Sequence, residues 1–430
     1  MNRRHFLSTC AAAAIAAPAQ EPSSDPHFPK YHWRPAKNWM NDPNGLIYWN
    51  GEYHMFYQYN PNAAYWGDMH WGHAVSTDLM NWRQLPIALY PDKPYDKDGV
   101  FSGCAVVNDG VPTLVYTGTK PETQCIATTS DNLRKFQKSN RNPVIAAPPE
   151  GVKVTGFRDP CLWQENGQWM MALGSGFPDV GGAVLLYTSK DLLNWKYLHP
   201  LVQGVKENTG FNWECPNFFP LGNRHVLLIS AEPFGNVLYF IGRYADRKFT
   251  PESEGVFDAG GSYYAPQTFL DDQNRRVIIG WLKETRSKEE QVKAGWSGVQ
   301  SLPWVLSLRG DGTLGIAPHP NALRLRSTTK RLASISALDF AGPIEIDFAG
   351  QKLPISHDGE TLRAGDRTAA LKLPAGEKLQ GQVFIDGSVV EVFANGRVGM
   401  SIRVYPSSPD VSVKGTGYKA YSMPATIRLS

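Results

Sequence analysis

Five stretches of the chain can be laid over one another without a gap, and this self-similarity restricts the fold more than any single predicted element does. They read NDPNGLIYWNGEYHMFYQY from Asn41, FSGCAVVNDGVPTLVYTGT from Phe101, RDPCLWQENGQWMMALGSG from Arg158, WECPNFFPLGNRHVLLISA from Trp213 and YAPQTFLDDQNRRVIIGWL from Tyr264. Each is an apolar run of strand length, a Gly/Asn/Asp turn and a second apolar run, which is the pattern of a β-hairpin. A second unit recurs between them: STDLMNW from Ser76, SDNLRKF from Ser130 and SKDLLNW from Ser189, with a blurred copy, YADRKFT, from Tyr244. Its copies stand 54, 59 and 55 residues apart, so each period holds a hairpin plus a further turn-bearing segment, enough for four strands. The expected fold is all-β, with a five-bladed β-propeller over residues 30–320. A sandwich of the same hairpins has no reason to keep so regular a period. After SLRGDGTLGIAPHPNALRLRS the period is lost, and short alternating segments such as IEIDFAG and QVFIDGSVVEVFANGR predict a separate β-sandwich over residues 328–430.

The second column of the alignment holds Asp42, Ser102, Asp159, Glu214 and Ala265, at intervals of 60, 57, 55 and 51 residues. Propeller symmetry brings equivalent positions at the start of each innermost strand together around the axis, so three acids are expected in one pocket. Turn acids capping backbone N–H groups are the plainer reading, but they do not explain three acids in one column, each beside Pro, Trp or Arg. Two carboxyls are the requirement for breaking a glycosidic bond, one donating a proton and one acting as nucleophile or base. Glu214 has the longer reach, and its neighbours Trp213 and Cys215 are expected to raise its pKa, so the acid role falls to it. Asp42, flanked by Asn41 and Asn44, suits an ionised nucleophile. Asp159 follows Arg158, which is expected to keep it charged, as a holder of sugar hydroxyls and of developing oxocarbenium charge.

Composition agrees with a sugar as partner. The 13 Trp, 18 Tyr and 19 Phe often stand beside Gly, Asn, Asp and His, and aromatic faces cover the C–H patches of sugar rings while polar neighbours bond the hydroxyls. A net charge of +3 without Lys/Arg runs implies neither nucleic acid nor an anionic membrane. The first residues, MNRRHFLSTCAAAAIAAPAQ, carry Arg3 and Arg4, an apolar stretch from Phe6 to Ala17 and an A-x-A site at Ala17-Pro18-Ala19. That predicts a twin-arginine-type signal peptide over residues 1–19 and an exported protein, periplasmic or extracellular. Cys10 is a weak lipidation site, because only Phe6 and Leu7 precede it as apolar residues. No later run approaches a membrane span. Cys104, Cys125, Cys161 and Cys215 lack metal-type spacing, and a disulfide among them is permitted but not deducible.

WMNDPNG, FYQYNP, WGDMHWGHAVSTDLMNW, FSGC, FRDP and WECPNFF resemble, in order and spacing, the motifs of glycoside hydrolase family 32, the β-fructofuranosidases: levanases, exo-inulinases and invertases. YYAPQTF, Gly280-Trp281, GWSGVQSLPW and GSVVEVFANG resemble the family's last blade and sandwich. The resemblance implies a retaining hydrolase of terminal β-D-fructofuranosyl linkages in levan, inulin or sucrose, with no cofactor and no metal. It casts Asp42 as nucleophile, Glu214 as acid/base and Asp159 as transition-state stabiliser. Retention would need the Asp42 and Glu214 carboxyls about 5–5.5 Å apart. Asn41, Gln58, Trp66, Phe101, Ser102 and Arg158 match positions that line the fructose site, and Trp296 is carried over with them. Three positions depart from the family pattern and bear on the outer subsites: Cys104 for the common Ser, Asn217 for the frequent Asp, and Trp304 where SLPR is usual.

Other readings stand beside this one. His70 and His73 of HWGH, three apart on a strand, face opposite sides and make a poor metal pair. DKPYDKDG, residues 92–99, has three acids but not the ligand order of a calcium loop, and reads as a solvated loop. A fructosyltransferase would use the same residues and differ in how well its pocket excludes water. A non-catalytic glycan-binding propeller would not need the acid column, and an inverting arabinan hydrolase would set its acids about 6.5–9.5 Å apart. A pocket on the propeller axis admits a chain end more readily than its middle, so single terminal units are the expected product.

Overall fold

A computed structural model of the chain describes residues 24–428. The leader expected over residues 1–19 lies outside the described residues. Between Asn38 and Pro318 the chain forms five antiparallel sheets in which successive long strands pair with one another. Their first strands are Asn38–Trp49, Val100–Asn108, Phe157–Glu165, Asn212–Leu221 and Tyr263–Leu270, the five repeats of the sequence. These five touch in a closed circuit, first to second through to fifth and back to first, which makes the assembly a propeller.

The sheets are held together by apolar clusters, one in each gap. Phe56 and Trp71 of the first sheet meet Leu114 and Tyr116 of the second, and Val115 and Ile126 of the second meet Met171 and Leu185 of the third. Met170 and Val184 of the third meet Phe218 and Leu227 of the fourth, while Val226 and Leu228 of the fourth meet Ile278 and Leu306 of the fifth. Met55 and Tyr57 pack against Val277 and Ile279 to close the ring. Successive residues of one strand therefore face opposite neighbours: Leu114 and Tyr116 point to the first sheet, Val115 to the third. A strand covered on both faces reads as a continuous apolar run, and so TLVYTG and WMMALG do not alternate. Each large buried side chain contributes about 1.5–3 kcal/mol, spread evenly around the circle.

The S-x-D-L-x-N-W unit is the turn between third and fourth strands. In the first sheet Asp78 Oδ1 accepts from the N–H of Met80 at 2.9 Å and of Asn81 at 2.7 Å, its Oδ2 accepts from Asn81 Nδ2 at 2.7 Å, and Trp82 Nε1 donates to Leu79 O at 2.8 Å. Asp191, Leu193, Asn194 and Trp195 repeat the arrangement in the third sheet, at 2.7 to 2.9 Å. The aspartate offers the turn's N–H groups a local acceptor, which keeps these two copies alike; the copy in the second sheet has Asn132 at that position, bonded to Asn50 instead.

The ring is latched by Trp296–Ser297, which runs parallel to the first strand with Asn38 opposite Trp296 and Trp39 opposite Ser297. Asn38 N–H donates to Gly295 O at 2.8 Å and Gln300 Nε2 to Asn41 O at 2.7 Å. Gly298 follows at φ +81°, and a Cβ there would lie 1.9 Å from Met40 O. No other residue fits beside that strand.

Beyond the propeller, a six-stranded and a five-stranded sheet enclose a core of Leu338, Ile346, Ile355, Val383, Val392 and Met400, the expected sandwich. It joins the propeller through Phe384 and Phe393, which belong to the same apolar cluster as Trp304. Asp386 accepts the N–H groups of Lys30, Tyr31 and His32 at 2.7 to 2.8 Å, so the segment ahead of the first blade is threaded between the two units. No helix among the described residues is long and apolar enough to cross a membrane.

Candidate active site

The acid column sits on a shared distortion. Every first strand breaks register with its partner there: between Met40 and Pro43, Phe101 and Gly103, Arg158 and Cys161, Glu214 and Asn217, and Tyr264 and Gln267. Pro160, Pro216 and Pro266 occupy unpaired positions of these bulges, where a missing N–H costs no ladder bond. Asp159 and Ala265 have φ of 64° and 46°, and Cys215, next to Glu214, has 47°. A bulge re-aims the side chain it carries. The outcome is a cavity of about 360 Å³, at the small end for ligand pockets, lined by Asp42, Asp159 and Glu214 with Trp39, Asn41, Gln58, Trp66, Phe101, Ser102, Arg158, Tyr264 and Trp281.

Asp42 Oδ2 accepts from Ser102 Oγ at 2.6 Å and its Oδ1 from Asn41 Nδ2 at 3.0 Å. Asn41 is turned that way because its own Oδ1 accepts from Trp39 Nε1 at 2.7 Å. The Cys215 thiol lies 3.6 Å from Asp42 Oδ2 and 3.5 Å from Asp159 Oδ2, so one sulfur joins the two aspartates. Cys215 N–H also donates to Asp159 Oδ2 at 3.0 Å. Glu214 Oε1 accepts from Arg158 Nε at 3.1 Å and Nη2 at 2.9 Å, and its Oε2 from the Tyr264 hydroxyl at 2.7 Å. The rest of the Arg158 fork is taken by Glu122 at 2.8 Å and Glu232 at 3.0 Å.

Burial and mutual repulsion set the charge of the aspartates. Burial pushes Asp42 up to about 6, with the nearby Glu214 adding to the rise and Ser102 and Asn41 opposing it. Asp159 is raised further, by burial and then by Glu214 and Asp42. This corrects the expectation that Arg158 holds Asp159 ionised. Arg158 does pull Asp159 down, but burial and the Glu214 charge outweigh it, and the guanidinium's own hydrogen bonds go to Glu214, Glu122 and Glu232. The Trp213 indole, beside Glu214 in sequence, is buried in the blade and donates to Thr209 O at 2.8 Å.

The match to known families follows the same division of the chain. Residues 32–318 match the Glycosyl hydrolases family 32 N-terminal domain and residues 350–423 the Glycosyl hydrolases family 32 C terminal. The chain belongs to glycosyl hydrolases family 32. It is a glycoside hydrolase of the β-fructofuranosidase class, which removes the ground for a non-catalytic propeller. It is 35% identical to sucrose-6-phosphate hydrolase of Zymomonas mobilis over 89% of this chain and 79% of the relative. It is 35% identical to raffinose invertase of Escherichia coli, over 89% and 90%. The crystal structure of fructan 1-exohydrolase IIa from Cichorium intybus superposes with a TM-score of 0.83 at 28% identity, covering 94% of this chain and 99% of that one.

Of the positions carried over from family 32 motifs, Asn41, Asp42, Gln58, Trp66, Phe101, Ser102, Arg158, Asp159 and Glu214 meet in the cavity. Trp296 does not. Its indole is 1% exposed, packs edge-on to Phe28 at 5.2 Å and donates to Asp25 Oδ2 at 2.9 Å. The latch strand that carries it turns the ring toward the N-terminal segment. Its place as a pocket aromatic is taken by Trp39, Tyr264 and Trp281. Tyr264 was visible in the alignment, since Asn41, Phe101, Arg158 and Tyr264 share its first column and all line the cavity. Glu122 and Glu232 fall on no repeated column.

The three departures from the family 32 pattern lie outside the cavity, so the expectation that they bear on the outer subsites is corrected. Trp304 is fully buried at the sandwich and donates to Glu391 at 3.2 Å, Asn217 bridges Cys215 O and Pro266 O, and Cys104 packs between the second and third sheets. The 92–99 loop is not wholly solvated: Asp96 is fully buried, and the Lys138 ammonium lies 2.6 Å from it and 2.7 Å from Asp92. An internal cation occupies the place a metal ion would take. His73 turns inward to His54 Nδ1 at 3.0 Å, while His70 meets Asp68 O at 2.5 Å. The four cysteines among the described residues are free thiols.

Proposed function

We propose that this family 32 hydrolase is an exported, retaining exo-β-fructosidase that releases single fructose units from sucrose, raffinose-type oligosaccharides and fructans such as inulin and levan. In this reading Asp42 attacks the anomeric carbon and forms a fructosyl-enzyme. Glu214 protonates the leaving oxygen and then deprotonates the incoming water. Asp159 holds ring hydroxyls and the developing positive charge. The observation that carries it is the convergence of carboxyls from three separate blades in one cavity. There Ser102 and Asn41 grip Asp42, while Arg158 and Tyr264 fix the carboxyl of Glu214. Support for a terminal, neutral substrate comes from the cavity's size and from Trp66, which stands 56% exposed at its mouth as a platform for a sugar ring. The paired arginines and A-x-A site of the leader support export.

The test is fructose release from sucrose, raffinose, inulin and levan, with Asp42→Ala and Glu214→Ala as controls. Free fructose with retained anomeric configuration in the initial product, abolished in both variants, is expected. Oligofructosides accumulating at high sucrose would instead mark a transferase, and early long oligosaccharides from inulin would rule out exo attack.

A further inference from the structure

The leaving sugar must sit on the Glu214 side of the cavity, because that carboxyl delivers the proton to it. The wall there has an unusual charge balance. Arg158 is the one cation among the lining residues, and four of its N–H bonds go to three carboxylates: Glu214 at 2.9 and 3.1 Å, Glu122 at 2.8 Å and Glu232 at 3.0 Å. Glu122 and Glu232 are further braced by Phe157 N–H at 2.6 Å and Asn212 Nδ2 at 2.8 Å. Their side chains are 24% and 35% exposed, so both are partly open to solvent beside the cavity, behind the Arg158 that lines it. Lys283, whose ammonium lies 5.5 Å from the Tyr264 ring centre, donates to Gly235 O. With Asp42 and Asp159, five carboxyls stand in or beside a cavity lined by one guanidinium. Even with two of them protonated the wall remains negative. Its carboxylates are also acceptors, which pair with sugar hydroxyls, whereas a phosphate ester offers further acceptors and about −1.5 to −2 charge.

We propose that Glu122 and Glu232, by occupying Arg158 and adding their own charge, make this enzyme selective for uncharged saccharides and turn it against sugar phosphates, the substrate class named for its Zymomonas mobilis relative. This rests on the fructosidase reading above. Any phosphate on the leaving sugar would lie within a sugar's width of both carboxylates, inside the screening length of about 8 Å at physiological ionic strength.

The experiment compares kcat/KM for sucrose and sucrose 6-phosphate in the full-length enzyme, over a salt series and in Glu122→Gln and Glu232→Gln. Sucrose is expected to be preferred at least about tenfold at low salt. The ratio should shrink as salt rises, and each substitution should narrow it by raising the phosphate ester's kcat/KM. The salt series needs no variant, so a misfolded substitution does not decide the matter. Equal use of the two sugars, or preference for the phosphate, overturns the proposal. So does a preference indifferent to salt and to both substitutions, which would mean exclusion by shape. No fructose from either sugar would sink the fructosidase reading itself, an outcome distinct from fructose released equally from both.

Discussion

Removing the Ser102 hydroxyl tests how the pocket controls the proposed nucleophile, Asp42. Ser102 Oγ donates to Asp42 Oδ2 at 2.6 Å, and burial has pushed that carboxyl up to about 6. A hydrogen bond to a charged group contributes about 1.5–3 kcal/mol, and about 1.36 kcal/mol corresponds to one pKa unit. The hydroxyl bonds the ionised form, so its loss in Ser102→Ala raises the pKa by about one to two units, while burial and the Glu214 charge persist. In the proposed mechanism Asp42 attacks only when ionised. The acid limb of the kcat/KM profile on sucrose, expected near pH 6 in the wild type, should therefore move toward pH 7 or above, with activity recovering at higher pH. Ser102→Thr keeps the hydroxyl and should leave the limb close to its original place. An acid limb that stays put in Ser102→Ala, or moves to lower pH while turnover is retained, refutes this account of the nucleophile's charge.

Three further outcomes follow from the same coordinates. An acid whose folded pKa is raised from 3.8 to about 6 costs stability above its unfolded value, fully so above about pH 6. Asp42→Asn should thus stabilise the fold by up to about 3 kcal/mol at pH 7.5 and by little at pH 4, read from thermal melts at the two values. Arg158→Lys cannot span Glu214, Glu122 and Glu232 with one ammonium, and should lower kcat/KM on sucrose by about a hundredfold while the protein remains folded by circular dichroism. Trp296→Ala removes the latch side chain and leaves Asp25 without its indole donor. It should cost about 3–5 kcal/mol in denaturant unfolding without altering the ratio of sucrose to raffinose hydrolysis, whereas a change in that ratio would return Trp296 to the substrate pocket.

The blades were legible because each must bury both faces against its neighbours, which imposes one length and one turn chemistry on every copy. Asp78 and Asp191 hold the same turn with the same atoms, and the sequence shows them as one motif. The acid column was legible for a related reason: a symmetric ring carries equivalent Cα positions to equivalent places, whatever their side chains. What a column cannot convey is direction. Arg158 and Asp159 are adjacent in sequence and share a cavity, yet the arginine serves Glu214 from a neighbouring blade. Trp296 stands in a motif stretch but is turned outward by the strand that latches the ring.

Direction is supplied by the bulges, and these explain why the site tolerates the strain it carries. An uninterrupted strand would present Asp42, Asp159 and Glu214 on the regular pleat, with alternate N–H groups bonded to the next strand and the rest in fixed alternation on the edge. The break in register frees the Cys215 N–H, which then donates to Asp159 from the blade next door. Proline at the adjacent position has no N–H to lose from the ladder, so the bulge leaves no donor unpaired there. The left-handed backbone at Asp159, Cys215 and Ala265 is therefore shared by three blades that lean on one another around the axis. Straightening the fourth sheet's bulge would withdraw the Cys215 donor from Asp159, while in the third and fifth sheets the matching N–H groups of Asp159 and Ala265 would lose the hydroxyls of Thr117 and Ser230 in the preceding blade; chemistry and blade-to-blade contact therefore depend on the same few residues.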